Sequence, residues 1–211
     1  MKTGDVIRCV ALVAAALLMF ACHQNSGKSI TRVRPLPPDS SPALKRVVAS
    51  ANEQPEQTRS YDPSYVQINY PGGDVPLERG ACTDVIIRAF REGGVDLQKE
   101  VHEDMLRNFA AYPAKWGLKK PDSNIDHRRV PVLKTFFERK GKALPVTQNH
   151  EDYLPGDVVT WDTNGNDHIG IVTNVWSEET GNYLMVHNIG GGAKVENVLF
   201  AWTITGHYRY F

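Results

Sequence analysis

Apolar residues recur at helical spacing through the first two thirds of the chain, with polar loops between them. An apolar side chain at every third or fourth position predicts a helix from about Ser41 to Asn52 and another that follows Cys82. The second helix is expected to end at the glycine pair 93–94, since glycine favours the exit of a helix. Two further helices are predicted, one from Leu97 and one that ends at Gly141.

The last third of the chain changes to short runs of β-branched and aromatic residues. Asn-Gly and glycine-rich segments separate these runs, which is typical of antiparallel strands joined by tight turns. Strands are predicted at 157–161, 168–175, 183–187, 195–202 and 207–211, besides one short strand near Val66–Asn69. Helices followed by a meander of strands predict a single α+β domain.

The N terminus has a third pattern. A basic start is followed by the unbroken apolar run 10–20, which is typical of an export signal and shorter than the roughly 20 apolar residues that a membrane-spanning helix needs. Cys22 stands where a bacterial lipoprotein signal carries its acylated cysteine; a plain cleaved signal and an uncleaved anchor are the alternatives. We therefore interpret residues 1–21 as a signal peptide, 22–41 as a flexible tether and 42–211 as one domain with a helical insertion at about 97–145.

Composition and cysteine content refine this picture. The 211 residues carry a formal net charge of zero, which gives no electrostatic reason to expect a nucleic-acid partner. Three cysteines are present, and removal of residues 1–21 leaves Cys22 and Cys82. If Cys22 is acylated, Cys82 has no disulfide partner in an oxidising compartment. Cys82 is then either an inert buried side chain or a reactive thiol.

Three residues form a candidate catalytic set. Cys82 lies at the predicted helix start, where the partial positive charge and free N–H groups stabilise a thiolate and can bind an oxyanion. His168 opens a predicted strand and is the candidate base. His187 ends the next strand, and hairpin pairing can bring it beside His168 as the orienting residue. Asn188 is the alternative, although it would point to the opposite face of a regular strand.

Further polar residues are candidates for contact with a substrate. Asp84 can cap the helix, where it would oppose thiolate formation; alternatively, it can bind a positively charged substrate group. Arg128 can hold a carboxylate through two hydrogen bonds. An acidic and histidine-containing group around 102–104 and 126–127 lacks the paired histidines of the helical zinc-peptidase motif, and no metal or other cofactor is expected. The predicted substrate contacts are Tyr61, Asp84, Asp126, His127 and Arg128.

Four phrases occur in the order seen in NlpC-type cell-wall cysteine peptidases: Ala-Cys-Thr-Asp at 81–84, Leu-Pro-Gly-Asp-Val-Val-Thr-Trp at 154–161, Asp-His-Ile-Gly-Ile-Val at 167–172 and Met-Val-His at 185–187. The chain resembles that family, which implies a papain-like fold with Cys82 as nucleophile, His168 as base and His187 as orienting residue. The resemblance also implies cleavage of an amide bond, in peptidoglycan stem peptides, through a thioester. Two features depart from it: Thr-Asp replaces the usual Ser-Gly after the cysteine, and the helical stretch 97–141 is additional.

Residues of about 43–211 are also similar to a YijF-like family of exported bacterial proteins, a resemblance that implies no activity. It is carried by Tyr-Pro-Gly-Gly-Asp-Val-Pro at 70–76, Val-His-Glu-Asp-Met at 101–105, Ile-Asp-His-Arg-Arg-Val-Pro at 125–131 and His-Asn-Ile-Gly at 187–190. The leading hypothesis is a monomeric periplasmic cysteine hydrolase, anchored to the outer membrane by lipid on Cys22. Two alternatives stay open: a non-catalytic envelope-binding lipoprotein that keeps the fold, and a metal-dependent hydrolase.

Overall fold

The computed structural model describes residues 30–211. The predicted signal peptide, Cys22 and the first part of the predicted tether lie outside the described residues. In residues 30–211, no helix combines the length and the apolar character needed to cross a membrane. The described elements are helices and a largely antiparallel sheet, and their order follows the predicted change from helices to strands.

Four α-helices lie in the described residues, and each contains a stretch that apolar spacing predicts. They are α1 (Pro42–Gln57), α2 (Cys82–Glu92), α3 (Leu97–Asn108) and α4 (Val130–Arg139). The Ser41 side chain caps α1 by accepting a hydrogen bond from the Leu44 N–H at 3.0 Å, and Pro42 fits the first turn. Short 3-10 turns follow at Phe109–Ala111, Asp126–Arg128 and His150–Asp152.

Within residues 30–211, seven strands form one antiparallel sheet. They are β1 (Thr31–Val33), β4 (Ala143–Leu144), β5 (Val158–Asp162), β6 (Asp167–Ser177), β7 (Asn182–Asn188), β8 (Ala193–Glu196) and β9 (Thr203–Tyr208). The strands lie in the order β4-β9-β5-β6-β7-β8, and β1 pairs with the end of β6. A separate parallel pair consists of β2 (Ser60–Tyr61) and β3 (Arg79–Gly80).

The sheet differs from the predicted meander at its last strand. Strands β5 to β8 follow one another as hairpins, but β9 returns to pair with β5, on the edge of β5 away from β6. Val66–Asn69 is a loop, held in part by a hydrogen bond from the Ile68 N–H to the side chain of Asn124. The predicted strand 195–202 stops at Glu196. Thr31–Val33, predicted as flexible tether, is instead a strand, because β6 extends far enough to pair with it.

The main core lies between the helices and one face of the sheet. Helix α2 is buried throughout residues 82–90, and it packs against β6 and β7 on one side and α1 on another. Four aromatic rings, Phe90, Phe136, Phe137 and Tyr208, link α2, α4 and β9. The second cluster includes Trp161. A helix enclosed on all sides holds its first residue rigidly, and in α2 that residue is Cys82.

Leu133→Ala is expected to lower the free energy of unfolding by about 2–5 kcal/mol, because Leu133 is fully buried in the main core and its removal leaves a cavity. The matched control is Leu106→Ala, also in a helix but 62% exposed, for which a change within about 0.5 kcal/mol is expected. Urea unfolding of both variants measures the difference. Equal costs would contradict this placement of the core.

Candidate active site

Cys82 is the first residue of α2, and its side chain is 5% exposed. Burial raises the pKa of the thiol to about 12, and the nearby Asp84 carboxylate acts in the same direction. Hydrogen bonds from the backbone N–H groups of Ile169, Thr83 and Cys82 oppose this rise. Burial outweighs them, so the resting thiol is protonated at neutral pH.

His168 and His187 lie on the paired strands β6 and β7, and 2.9 Å separates Nε2 of His168 from Nδ1 of His187. Both rings are buried. Burial and the neighbouring ring lower the pKa of His168 to about 3. Burial also lowers the pKa of His187. The two imidazoles are therefore neutral in the resting protein, as a hydrogen-bonded pair in an apolar setting.

Aromatic rings enclose the imidazole pair. The indole of Trp161 stacks on His168 with 5.7 Å between ring centres, and the edge of Trp202 meets both imidazoles. Gly170 lies directly opposite His187 in the strand pairing. A Cβ at this position would stand 3.1 Å from the ring of Trp161 and 3.0 Å from the carbonyl oxygen of Val186. The absence of a side chain at Gly170 thus lets Trp161 approach the strand that carries His168.

The thiol of Cys82 lies near the start of β6, where α2 packs on the sheet. The Ile169 N–H that contacts the Cys82 sulfur belongs to the residue next to His168. The structure therefore pairs two of the three predicted catalytic residues, His168 and His187, and places the third, Cys82, against the residue that follows His168. Asn188, the alternative to His187, is fully buried and donates to the carbonyl oxygens of Gly80 and Ser60. Its amide holds the β2–β3 pair.

Glu196 is a site residue that the sequence interpretation missed. Its carboxylate Oε2 lies 2.9 Å from Nε2 of His187, on the side away from His168. Alternation along a strand gives a partial signal for it, because Lys194 and Glu196 share one face of β8, but the pairing of Lys194 opposite His187 is seen only in the structure. A cavity of about 290 Å³ adjoins the pair and is lined by His187, Lys194, Glu196 and the loop 189–192.

Asp84 and Arg128 were predicted as substrate contacts, and the structure pairs them with each other instead. Both side chains are almost fully buried, and the two oxygens of Asp84 accept from Nε and Nη2 of Arg128 at 2.9 Å each. Asp84 also accepts from the Ala81 N–H at 2.6 Å. The remaining donors of Arg128 reach the carbonyl oxygens of Ser64 and Asp62. The predicted substrate role is replaced by a structural one, since no free charge is left for a substrate.

The other three predicted substrate contacts divide into one accessible and two buried residues. Tyr61 is 41% exposed; burial raises the pKa of its hydroxyl, as do the nearby Cys82 and Asp84. Asp126 is buried and pairs with Arg129 at 2.9 Å. His127 is also buried, and burial lowers its pKa to about 3. Tyr61 therefore stays a candidate, whereas Asp126 and His127 present no side chain to a cleft. Residues 30–211 contain no cluster of three or more His, Cys, Asp or Glu side chains that could hold a metal ion.

Comparison with known proteins shows the family. Residues 48–210 match the model described as "Domain of unknown function (DUF1287)". The chain belongs to the DUF1287 family. A relative described as "Uncharacterized protein YijF", from Escherichia coli (strain K12), is 57% identical over 166 residues, which cover 78% of this chain and 80% of the relative. The predicted YijF-like resemblance is confirmed. The DUF1287 match spans α2, the imidazole pair and the Asp84–Arg128 ion pair.

Arg128→Met is expected to lower the free energy of unfolding by about 3–5 kcal/mol, because it leaves the buried Asp84 carboxylate without its counter-charge. The double variant Asp84→Asn/Arg128→Met should recover part of this loss, since it removes the unpaired charge. Arg32→Met, which breaks the exposed pair of Arg32 with Glu178, is the control and should cost at most about 1 kcal/mol. Equal effects of Arg32→Met and Arg128→Met on urea unfolding would refute the structural role of the buried pair.

Proposed function

We propose that this DUF1287 chain is an exported cysteine hydrolase that cleaves an amide bond, in peptidoglycan stem peptides, through a thioester. The observation that carries the proposal is the Cys82 thiol at the first turn of α2, against the residue that follows His168, together with the hydrogen-bonded pair of His168 and His187. A thiol at a helix start, a buried imidazole next to it and a third group that orients the imidazole are the parts that nucleophilic catalysis by cysteine requires.

The reaction begins from a neutral thiol and a neutral imidazole. The Cys82 proton moves to His168 as the sulfur attacks the substrate carbonyl carbon, so the S–H bond is replaced by an S–C bond and an N–H bond. The backbone N–H of Cys82 at the helix start can stabilise the oxyanion. Collapse of the intermediate breaks the C–N bond, and the proton passes from His168 to the leaving amine. Water then hydrolyses the thioester and regenerates the thiol.

Further parts of the proposal concern fold type, location and substrate. We propose a papain-like arrangement, because the thiol-bearing helix packs on an antiparallel sheet whose adjacent strands carry the histidines. The apolar run 10–20 and Cys22 support export and a lipid anchor in the outer membrane. Peptidoglycan as substrate is supported by the order of the sequence phrases that resemble NlpC-type peptidases. Tyr61, half exposed beside Cys82, is the candidate substrate contact.

Cys82→Ala is expected to abolish release of new products from purified muropeptides, with a rate loss of at least about 10³-fold, because no other group replaces the nucleophile. Mass spectrometry of digests by the wild-type protein and the variant measures it. The variant should unfold within a few degrees of the wild type, which controls for folding. Equal product from both proteins, or none from either across muropeptides of different stem length, would count against the proposal.

The raised pKa of the buried Cys82 thiol favours a second candidate, a non-catalytic envelope-binding protein that keeps the fold. An inert thiol is what such a protein would carry. In this case the purified protein would sediment with insoluble peptidoglycan, Cys82→Ala would sediment equally, and no product would appear.

Alkylation of Cys82 by iodoacetamide is expected to be slow at pH 7 and to accelerate only above about pH 9, because only the thiolate reacts and burial raises the thiol pKa. The rate at pH 7 should lie at least about 100-fold below that of the same protein unfolded in urea, where the thiol has its ordinary pKa of about 8.5. A folded protein that reacts faster than the unfolded one at pH 7 would instead show a resting thiolate.

A further inference from the structure

Glu196 connects the buried imidazole pair to solvent. It ends β8 and reaches His187 diagonally across the β7–β8 ladder, from the same face as Lys194. The side chain of Glu196 is 39% exposed, whereas that of His187 is 1% exposed. A solvated carboxylate therefore contacts the far end of a hydrogen-bonded row that runs through His187 to His168.

The Glu196 carboxylate determines which ring nitrogen carries the hydrogen, first in His187 and then in His168. An ionised carboxylate only accepts hydrogen bonds, so Nε2 of His187 must donate to Glu196. A neutral imidazole has one N–H, which leaves Nδ1 of His187 as an acceptor. Its partner at 2.9 Å, Nε2 of His168, must then be the donor. The nitrogen of His168 that keeps a free lone pair is Nδ1.

We propose that Glu196 is a positioning residue that fixes the tautomers of His187 and His168 and thereby makes Nδ1 of His168 the base for Cys82. The catalytic consequence rests on the proposed function; the tautomers do not. When the thiol proton moves to Nδ1, His168 becomes an imidazolium that still donates through Nε2 to His187, and Glu196 stays unprotonated. The opposite tautomer would place hydrogen on Nδ1 and leave no acceptor for the proton.

Among the groups that surround the two imidazoles, Glu196 is the one suited to fix their tautomers. The rings of Trp161 and Trp202 pack against the imidazoles from β5 and from the loop before β9, and they supply aromatic surface in place of a carboxylate. The charged groups that face His187 both come from β8: Glu196 raises its pKa and Lys194 lowers it. Cys82 and Tyr61 lie near each other at the start of α2, and the sulfur of Cys82 lies beside the N–H of Ile169. Loss of the Glu196 charge would thus destabilise an imidazolium in the pair.

Nitrogen-15 NMR of the histidine rings tests the tautomers without any substrate. In the purified wild-type protein at pH 7.5, both rings should carry hydrogen on Nε2 and none on Nδ1. Glu196→Gln should produce a mixture, because an amide can either donate to or accept from His187. Glu196→Asp keeps the charge and should retain the wild-type tautomers in part. Hydrogen on Nδ1 of His168 in the wild type, or unchanged tautomers in Glu196→Gln, would overturn the proposal.

Steady-state kinetics on muropeptides test the consequence. Glu196→Gln is expected to lower kcat at least about 10-fold with little change in KM, since it affects the base and not substrate contacts. The acidic limb of its pH–rate profile should move to lower pH, and that of Lys194→Gln to higher pH, because the two charges act on His187 in opposite directions. Glu178→Gln, at the β1 edge of the sheet, should match the wild type.

The outcomes separate the two proposals. A wild-type protein that releases no more product than Cys82→Ala would refute the hydrolase, and the NMR result would still decide the role of Glu196. An active wild type with Glu196→Gln equal to it in kcat and in pH profile would refute the positioning role alone. If Glu196→Gln and Lys194→Gln shift the profile in the same direction, the effect is not that of a charge on His187, and the positioning role is also refuted.

Discussion

The ion pair between Asp84 and Arg128 is the interaction through which three distant segments are joined. Two charges removed from water are tolerated only where hydrogen bonds satisfy their remaining atoms, and here the partners are backbone groups of residues 62, 64 and 81. Thr83 adds a hydrogen bond from its hydroxyl to the carbonyl oxygen of Arg128. The loop before β3, the first turn of α2 and the 3-10 turn before α4 thus meet around one carboxylate. The thiol of Cys82 takes its position from that junction.

The contacts around Asp84 and Arg128 give the predicted helical insertion a structural role. The stretch 97–145 is expected to be an addition to a compact core, yet Arg128 lies within it and supplies the counter-charge for Asp84. The insertion is therefore part of what holds the helix start. The same arrangement explains the Thr-Asp pair after Cys82, because Thr83 and Asp84 both bond to Arg128 or to its backbone. Both departures from the NlpC-type pattern, the pair and the insertion, belong to one structural unit.

Local patterns predicted most of the elements, and contacts between distant residues account for the errors. Apolar spacing located the four helices because each buries a face, and the strands β5 to β7 follow from alternation and turn residues. The pairing of β9 with β5 joins strands about 45 residues apart, and a local sequence pattern carries no information on such a pairing. The capping role predicted for Asp84 is confirmed by its hydrogen bond from the Ala81 N–H. Its pairing with Arg128 was not predicted for the same reason, since 44 residues separate them. Glu196 was missed because the predicted strand starts at 195, whereas β8 starts at Ala193, so the pairing register of β8 with β7 did not follow from the prediction.

Gly170 couples the packing of this domain to its histidines. The residue sits in the middle of a buried strand, where glycine is usually disfavoured, and its missing side chain is replaced by the ring of Trp161. The His-Ile-Gly phrase therefore contains three neighbouring features. His168 supplies one imidazole of the pair, the N–H of Ile169 lies beside the Cys82 thiol, and Gly170 leaves space for the Trp161 indole. A sequence search that scores Gly170 and Trp161 as a correlated pair would recover distant homologues that keep this indole packing, including those without the two histidines. The search would thus separate homologues that share only the fold from those that also keep the imidazole pair.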